Sequence, residues 1–544
     1  MPNRKMFPDS VIPIPSTGAT PHGFIVNAAK PQHGDEKMDV SFSLGVPPAL
    51  QKELEQRVDN GETISPQDLQ TKYAVDPNAA NALQDWLKKQ GFSITQVTPD
   101  RTTIYASAPA SQVEASLGVH MVRVTREGQT YTAASDVPSL PEDVGGAVAH
   151  IGGLQPYRQA RKHLRSRRVI SLAAGAQAAP AGPQPAAAVA PPYLVPNILK
   201  AYNADGLGLT GKGQEIAILI DTLPLDSDLS AFWAANGIAN NPARINKVNV
   251  TGAALPAPTG EESLDAEWAS GIAPDATVNI YASGTLAFVD LDRALDGIYA
   301  DALARPALRI VSISLGLNEA YMTSGEINAE EARFVRFAAL GVNVFVSTGD
   351  AGSNPGPDGH LANGPLGPEW MSSSPHVVAV GGTTLQLAAN GQVAAETGWS
   401  GSGGGTSHSR PRPAWQTGAG VPAGNLRSVP DISAAADPDQ GGLIILNGQG
   451  LQYGGTSWSA PIWAGLCALI NEARQNNNMT ALPYLNPLIY PLIGSNCFRD
   501  VVNGSNGAYS CAPGYDLVTG IGAPDLEQLV ARLAGGAAPA AKAA

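Results

Sequence analysis

Four short runs rich in β-branched residues, separated by helical segments, constrain the fold of this 544-residue chain more than any other feature. They lie at residues 215–221, 277–283, 308–316 and 342–350 and read EIAILID, TVNIYAS, LRIVSISLG and VNVFVSTGD. Apolar runs of this kind indicate strands that are buried on both faces. Because helical patterns come between them, we predict an α/β domain with a mostly parallel sheet and helices on both sides. In such sheets, functional sites form at the carboxyl ends of the strands.

The first third of the chain has a different pattern, which predicts a separate, smaller domain. Residues 47–61 and 76–91 read as amphipathic helices, and the segments around them alternate like short strands, so a small α+β domain of the ferredoxin-like type is expected. A basic run at 158–169 is followed by a stretch rich in Ala, Pro and Gly, which predicts an exposed linker or a plain tether. The predicted order is a flexible N-terminal arm (1–36), the small domain (37–157), the linker (158–192), the α/β domain (193–534) and a disordered tail (535–544).

The charge and cysteine content exclude several classes of protein. With a formal net charge of −13 and a sequence pI of about 5.1, the chain has no general attraction for nucleic acid or anionic lipid. No apolar run reaches about 18 residues, so no transmembrane helix is expected, and residues 1–23 lack the apolar stretch of an ordinary secretory signal. Three cysteines are too few for a disulfide scaffold. Cys497 and Cys511 could pair, or all three thiols could be reduced and buried.

Residues 454–461, which read GGTSWSAP, are the strongest candidate for a catalytic element. A Gly-Gly turn leads into Thr456 and Ser457, and an apolar helical pattern follows, with Pro461 in its first turn, where a missing N–H costs little. The Ser457 hydroxyl is therefore expected at a helix N-terminus, beside N–H groups that can stabilise a developing oxyanion. Taken alone, the pattern also fits a serine that only caps a helix.

A serine nucleophile requires a general base, and the sequence points to carboxylates instead of histidine. None of the eight histidines has the sequence context expected of a Ser-His-Asp triad. Glu261 and Asp265 are four residues apart and share one face of a predicted helix. Two acids this close raise the pKa of one member, so the pair can share a proton and accept another from serine. An ordinary exposed acidic helix is the alternative, since Glu262 and Glu267 lie nearby.

Asp350 follows a buried strand pattern, in the turn Ser-Thr-Gly-Asp-Ala-Gly. In its protonated form it could donate a hydrogen bond to the oxyanion of an attacked carbonyl, whereas in its ionised form it would repel that oxyanion. This difference predicts activity at acidic pH. The alternative is an aspartate that only stabilises its own turn.

These three blocks resemble the catalytic blocks of the sedolisin family and occur in the same order, Glu/Asp pair, Asp and Ser. Residues 402–416, 427–438 and 484–490 resemble further segments of that family, and the front domain resembles the activation domain of kumamolisin-type precursors. The resemblance implies a subtilisin-like fold and an extracellular, monomeric serine-carboxyl endopeptidase, which cleaves proteins at acidic pH. It also implies a zymogen, in which the front domain is an intramolecular inhibitor and 158–192 is a processed linker.

The resemblance also implies roles for individual residues. Ser457 would be the nucleophile, Glu261 the general base, and Asp265 the residue that orients Glu261. Asp350 would be the acid beside the oxyanion. Glu369 matches a position that lines the substrate pocket, and it would favour a basic or polar side chain near the scissile bond.

A calcium site is implied in the same way. The segment from 498 to 525 resembles the C-terminal Ca²⁺ site of the family, and hard oxygen ligands suit this ion. The implied ligands are the carboxylates of Asp500 and Asp516 and the backbone oxygens of Val501, Ala512 and Gly514.

One neighbour of the carboxylate pair departs from the family pattern. The family often has Trp where this chain has Leu315, and Asp221 lies one position away from the acid that often partners that Trp. We expect these changes to shift the pH optimum or the rate. The alternatives are a catalytically silent relative that acts as a binding or inhibitory module, and a subtilisin-like enzyme active at neutral pH. The four filled catalytic positions argue against the first, and the missing histidine argues against the second.

Overall fold

The computed structural model describes residues 3–20, 23–170 and 188–535. Residues 536–544 of the tail predicted over 535–544, and residues 171–187 of the predicted linker, lie outside the described residues. The front part contains strands β1 (Arg4–Met6), β2 (Gly18–Ala19), β3 (Ile25–Ala28), β4 (Lys37–Leu44), β5 (Ser93–Val97), β6 (Thr103–Pro109), β7 (Met121–Arg126), β8 (Gln129–Ala134), β9 (Ser139–Pro141) and β10 (Val148–Gly152). Its helices are α1 (Pro48–Asp59), α2 (Pro66–Thr71), α3 (Pro77–Lys89), α4 (Ala110–Leu117) and α5 (Glu142–Gly145).

The front domain is built on an antiparallel sheet with the order β10-β4-β6-β5. Helices α1 to α3 connect β4 to β5, and α4 follows β6, an arrangement compatible with the expected ferredoxin-like α+β domain. Helix α3 packs Ala80, Leu83 and Leu87 into the apolar core of this domain. A second antiparallel sheet, in the order β2-β3-β7-β8, extends the domain.

The prediction of a flexible arm over residues 1–36 is wrong for the residues that the structure describes. Strand β1 pairs with β9, and β3 pairs with β7. Phe7 and Val11 are only 4% and 3% exposed, and both belong to the core of the front domain. A few apolar anchors and the strand pairings with β9 and β7 therefore order a segment whose overall polarity indicated a solvated arm.

Two short strands, β11 (Arg161–Lys162) and β12 (Arg165–Ile170), connect the front domain toward the large domain. The large domain continues with α6 (Val195–Ala201), β13 (Glu215–Ile220), α7 (Asp226–Ala235), β14 (Ile245–Asn249), α8 (Glu261–Ile272), β15 (Thr277–Ala282), α9 (Phe288–Ala304), β16 (Leu308–Ile313), β17 (Leu315–Asn318), α10 (Ser324–Ala339), β18 (Asn343–Ser347) and β19 (Glu369–Trp370). It ends with β20 (Val378–Leu387), β21 (Val393–Gly398), β22 (Gly405–Pro411), β23 (Leu426–Val429), β24 (Ile432–Ala435), β25 (Gly442–Leu446), β26 (Gln449–Gly454), α11 (Thr456–Asn476), α12 (Asn486–Ile489), β27 (Phe498–Arg499), β28 (Ala523–Pro524) and α13 (Leu526–Leu533).

The central sheet of the large domain has the order β14-β15-β13-β16-β18-β20-β21, with β24 also beside β20. Its pairings are parallel except that of β20 with β21. The four apolar runs of the sequence become β13, β15, β16 and β18, and their side chains are almost entirely buried. The predicted α/β fold is confirmed.

Helices α8 and α11 pack closely against each other, and this contact positions the candidate site. Trp268 of α8 and Trp458 of α11 meet edge to face, with ring centroids 5.0 Å apart. The helices come so close at Gly465 that a Cβ atom there would lie 2.6 Å from Ile272 Cβ. The first turns of both helices are thereby brought together.

The first described part of the predicted linker pairs with strands of the large domain. Strand β11 pairs with β17, and β12 pairs with β26, both antiparallel. His163, between them, is fully buried. The first described residues of the predicted linker 158–192 are therefore held by the large domain, where Lys162 and His163 lie beside the carboxylates of Asp221 and Glu369. Most of the stretch expected to be flexible, which begins at residue 171, lies outside the described residues.

Two expectations from composition can also be compared with the structure. Cys467, Cys497 and Cys511 are free thiols, and all three are buried, which favours the reduced alternative. Within the described ranges, no helix combines the length and apolarity needed to cross a bilayer.

Candidate active site

The carboxylate pair lies on a helix that is buried along its whole length. Every residue of α8 is buried, so the alternative of an exposed acidic helix does not hold. Burial raises the pKa of Glu261 well above its usual value, and Asp265 raises it further, against a lowering effect of the Ser457 hydroxyl. Burial also raises the pKa of Asp265, although Ser314 donates a 2.7 Å hydrogen bond to it. The two acids thus form a pair that keeps one shared proton at pH values where exposed carboxylates are ionised, and the remaining negative charge can accept another proton.

Ser457 is the second residue of α11, and Gly455 occupies the capping position. Ser457 is therefore not the helix cap that the sequence left as an alternative. Its hydroxyl is buried next to Glu261 and makes no hydrogen bond of good geometry, whereas its backbone N–H points at the carbonyl oxygen of His163, at 3.4 Å. Catalytic hydrogen bonds often tighten only in the reacting complex.

Asp350 follows β18 and reaches the start of α11. Its Oδ1 accepts hydrogen bonds from the Thr456 N–H (2.7 Å) and the Thr456 hydroxyl (2.9 Å), so it does more than stabilise its own turn. Its Oδ2 is buried without a hydrogen bond and lies 3.6 Å from Arg165 Nε. Burial raises the pKa of Asp350 to about 6, against the lowering effects of His163, Thr456 and Arg165.

Gly455 allows the chain to pass between Asp350 and His163. Its φ of 107° is unfavourable for other residues. A Cβ at this position would lie 2.2 Å from the His163 carbonyl oxygen and 2.4 Å from Asp350 Oδ2. Those two oxygens therefore face the same small space at the start of α11.

Glu369, the predicted pocket residue, contacts His163, which no sequence motif singles out. The imidazole of His163 is fully buried, with Nε2 2.8 Å from Glu369 Oε2 and Nδ1 2.7 Å from Ser347 Oγ. Burial lowers the pKa of His163, but Glu369 outweighs this, and the net pKa is raised. Gly316 and Gly349 form walls of this pocket, because a Cβ on either would come within 2.7 Å of a Glu369 carboxylate oxygen.

Lys162, next to His163, is also held by the large domain. Its Nζ lies 2.7 Å from Asp221 Oδ1, donates a 2.8 Å hydrogen bond to Thr259, and approaches Glu262 to 4.0 Å. The basic run in the sequence indicates that acidic partners are needed. It does not identify them, because the partners of Lys162 come from strands and loops distant in sequence. Asp221, noted as a departure from the family pattern, therefore has a cationic partner in this chain.

The predicted calcium ligands come from one cluster of loops. The Gly514 N–H donates to Asp500 Oδ2 at 2.8 Å, and the Ala512 N–H donates to Asp516 Oδ2 at 3.2 Å, so both carboxylates lie beside the loop 512–514. Asp516 Oδ1 is occupied by the N–H groups of Val518 and Thr519. No described donor reaches the carbonyl oxygens of Val501, Ala512 and Gly514. This set of hard oxygen donors fits a calcium ion.

Comparisons with known proteins identify relatives of this chain. A sequence profile of the family described as "Pro-kumamolisin, activation domain" matches residues 27–157, and thus begins within the predicted arm. Kumamolisin from Bacillus sp. (strain MN-32) is 30% identical over 467 residues, covering 81% of this chain and 80% of that protein. Sedolisin from Pseudomonas sp. (strain 101) is 30% identical over 504 residues, covering 87% of this chain and 81% of that protein.

A solved structure supports the fold of the large domain. Pseudomonas sedolisin, a serine-carboxyl proteinase complexed with two molecules of pseudo-iodotyrostatin, superposes with a TM-score of 0.54 at 28% identity. The superposition covers 63% of this chain and 98% of that protein.

Proposed function

Because this chain belongs to the sedolisin family of serine-carboxyl peptidases and carries the activation domain of a zymogen, we propose that it is an acid-acting endopeptidase with Ser457 as nucleophile. The proposal rests on one observation: two groups of the candidate site face a single peptide carbonyl, that of His163. The Ser457 N–H points at this oxygen, and the Asp350 carboxyl faces the same space. The chain continues on both sides of this carbonyl, which favours cleavage within a chain over removal of terminal residues.

Glu261 is the proposed general base. Its buried carboxylate lies beside the Ser457 hydroxyl and accepts the proton as the oxygen attacks the carbonyl carbon. Asp265 keeps Glu261 in place and shares the charge of the pair, while Ser314 fixes Asp265 by its hydrogen bond. The proton then passes from Glu261 to the leaving amine, and water hydrolyses the acyl-enzyme in a second step.

Asp350 is the proposed acid beside the oxyanion. Below its pKa of about 6 the carboxyl is protonated, and its hydrogen can be donated to the negative oxygen of the tetrahedral intermediate. The Ser457 N–H is the second donor. Above that pKa the carboxylate would repel the oxyanion, so activity should fall as the solution becomes neutral.

The front domain is the proposed intramolecular inhibitor, and its interface with the large domain contains buried ion pairs. His150 Nε2 lies 3.0 Å from Glu326 Oε2, and Arg336 donates a 2.9 Å hydrogen bond to Asp100. Burial raises the pKa of Glu326, but His150 and Arg333 together lower it by more, so this carboxylate takes up a proton only as the pH falls below the usual range of a carboxylate. The pair with His150 is lost at that point, which would loosen the domains. We propose that the monomeric zymogen is activated in this way in an acidic extracellular medium.

The test is hydrolysis of casein and incubation of the full chain at pH 4 and pH 7. We expect the wild type to lose its front domain and become active at pH 4 only, and Ser457→Ala to stay intact and inactive at both. A wild type that stays intact at both pH values, or a Ser457→Ala variant that hydrolyses casein, would contradict the proposal. The variant also distinguishes a peptidase from a silent binding module.

We also propose that Ca²⁺ is held by Asp500 and Asp516 with the carbonyl oxygens of Val501, Ala512 and Gly514. Bound calcium would stabilise these loops. The stabilisation is measured by thermal unfolding of the Ser457→Ala protein in calcium and in a chelator. The matched protein carries Asp500→Asn in addition to Ser457→Ala. Calcium should raise the Tm of the Ser457→Ala protein more than that of the protein with both substitutions. Equal shifts would refute the site.

A further inference from the structure

We propose that Glu330 is a positioning residue of the substrate pocket, and that it acts through the indole N–H of Trp370. The pocket is the one that Glu369 borders and that holds the imidazole of His163 in this structure. The inference rests on the proposed peptidase function and adds to it a buried acid that no step of the mechanism uses. Because Glu330 does not touch the reacting atoms, its effect is expected on the choice of substrate and not on the chemical step.

Glu330 lies within α10 and is fully buried. Its Oε2 accepts a 2.5 Å hydrogen bond from Trp370 Nε1, and its Oε1 is buried without a hydrogen bond. A buried carboxyl group costs free energy unless its contacts compensate. The bond to Trp370 is therefore the contact that gives this acid a function in the folded chain.

Trp370 connects this bond to the substrate pocket. It follows Glu369 in β19, and β19 pairs with β17, where Leu317 is opposite Trp370 and Asn318 is opposite Glu369. A Cβ on Gly316 would lie 2.9 Å from the Trp370 carbonyl oxygen and 2.7 Å from Glu369 Oε2. The backbone of Trp370 and the carboxylate of Glu369 thus border the same small space, and a shift of Trp370 would move the wall of the pocket.

Helix α10 also packs the indole ring of Trp370, which is fully buried. The ring centroid of Phe334, on α10, lies 6.3 Å from that of Trp370. The Arg410 guanidinium lies 5.8 Å from the indole centroid and donates a 2.8 Å hydrogen bond to Asn328 of α10. Packing restricts the position of the ring, whereas the bond to Glu330 selects its orientation, because a reversed ring would bury the N–H without an acceptor.

The surroundings of Glu330 indicate that it acts as a neutral acceptor. Burial raises the pKa of Glu330 well above its usual value, and Glu326 raises it further, against the lowering effects of Trp370 and Arg333. The charged and titratable groups around it are Asp292 of α9, Glu326 and Arg333 of α10, Arg410 beyond the indole, and His150 of the front domain through Glu326.

At acidic pH, Glu330 therefore carries a proton and still accepts the indole N–H at an oxygen. Departure of the front domain removes His150, a positive partner of Glu326, so the processed enzyme favours the neutral form of Glu330 further. Glutamine also has an acceptor oxygen and no charge, so it should replace Glu330 at this position. Leucine has a similar size and no acceptor, so it should not.

The test compares kcat/KM at pH 4 for two quenched peptides that differ only at the residue before the scissile bond. One has histidine, whose side chain fits the pocket, and the other has alanine. The processed enzymes are wild type, Glu330→Gln, Glu330→Leu, Trp370→Phe, and the double variant with leucine and phenylalanine. Wild type should prefer the histidine peptide. Glu330→Leu and Trp370→Phe should each lower the ratio of the two kcat/KM values by about three- to tenfold, the effect of one hydrogen bond.

The double variant should lower the ratio no further than either single variant, because both remove the same bond. Glu330→Gln should keep the wild-type ratio. The matched control is Trp233→Phe, which removes the 2.9 Å indole hydrogen bond to Ser270 elsewhere in the large domain and should leave the ratio unchanged. A role in stability alone would reduce the activity on both peptides equally and would not change the ratio.

The inference would be overturned by a wild-type ratio near one, or by a wild-type ratio that persists in Trp370→Phe. A Glu330→Gln ratio as low as that of Glu330→Leu would also overturn it, because the charge and not the acceptor would then matter. Trp370→Phe decides the test if Glu330→Leu does not fold. A wild-type enzyme that cleaves neither peptide would instead overturn the proposed peptidase function.

Discussion

Replacement of Asp350 by asparagine isolates the role of a protonated acid beside the oxyanion. With a pKa of about 6, nearly every Asp350 carries its proton at pH 4, whereas about one in eleven does at pH 7. Activity that needs the proton should fall by about tenfold per pH unit above the pKa. His163 and Arg165 both lower this pKa in the zymogen. Departure of the linker removes these two lowering contacts and also part of the burial that raises the pKa, so the decline is expected near pH 6.

Asparagine keeps a neutral donor at every pH and can still accept the Thr456 N–H at its oxygen. Asp350→Asn should therefore lose the decline above pH 6 while keeping part of its activity at pH 4. Asp350→Ala removes the donor, and kcat/KM should fall by about 10²–10³-fold, or about 2.7–4 kcal/mol.

The assay is kcat/KM for one quenched peptide between pH 3 and pH 8. It compares wild type and both variants after all three have been processed to the same N-terminus. An Asp350→Asn variant that keeps the wild-type decline near pH 6 would refute the reasoning. So would an Asp350→Ala variant with full activity.

Two further predictions concern the packing that holds the site. Asp431→Ala should lower the free energy of unfolding by about 3–5 kcal/mol, because it leaves the fully buried Arg427 without the carboxylate it contacts at 2.6 and 2.8 Å. A urea-unfolding difference near zero would contradict this. Gly465→Ala should cost about 1–3 kcal/mol and reduce kcat, because the new Cβ meets Ile272 between α8 and α11. Gly297→Ala, in open space on α9, is the matched control and should be neutral or stabilising.

The sequence was sufficient to predict the parts of this protein whose information is local. The strands of the central sheet are continuous apolar runs, and burial on both faces requires such runs. Ser457, Glu261 and Asp350 each stand in a short motif with a physical meaning. Their convergence also depends on the contact between α8 and α11, for which the sequence contains only small signs such as Gly465.

The parts that the sequence did not predict depend on partners distant along the chain. The sequence of the basic run before residue 170 suggests exposure to solvent, because the acidic partners of its residues are distant along the chain. Lys162 pairs with Asp221, and His163 pairs with Glu369. The first residues of the chain look like a loose arm because their order comes from pairing with β9 and β7. In each case local composition described the segment correctly, but its environment in the fold reversed the interpretation.

The central claim is that a buried carboxylate, and not an imidazole, activates Ser457. The most direct measurement is kcat/KM at pH 4 for Ser457→Ala, Glu261→Gln and the double variant, each supplied as processed enzyme. When two residues act as one catalytic unit, removal of either one abolishes most of the rate. The kcat/KM of each single variant should therefore fall by several orders of magnitude, and that of the double variant should fall no further. A Glu261→Gln enzyme that retains activity close to that of the wild type would contradict the account.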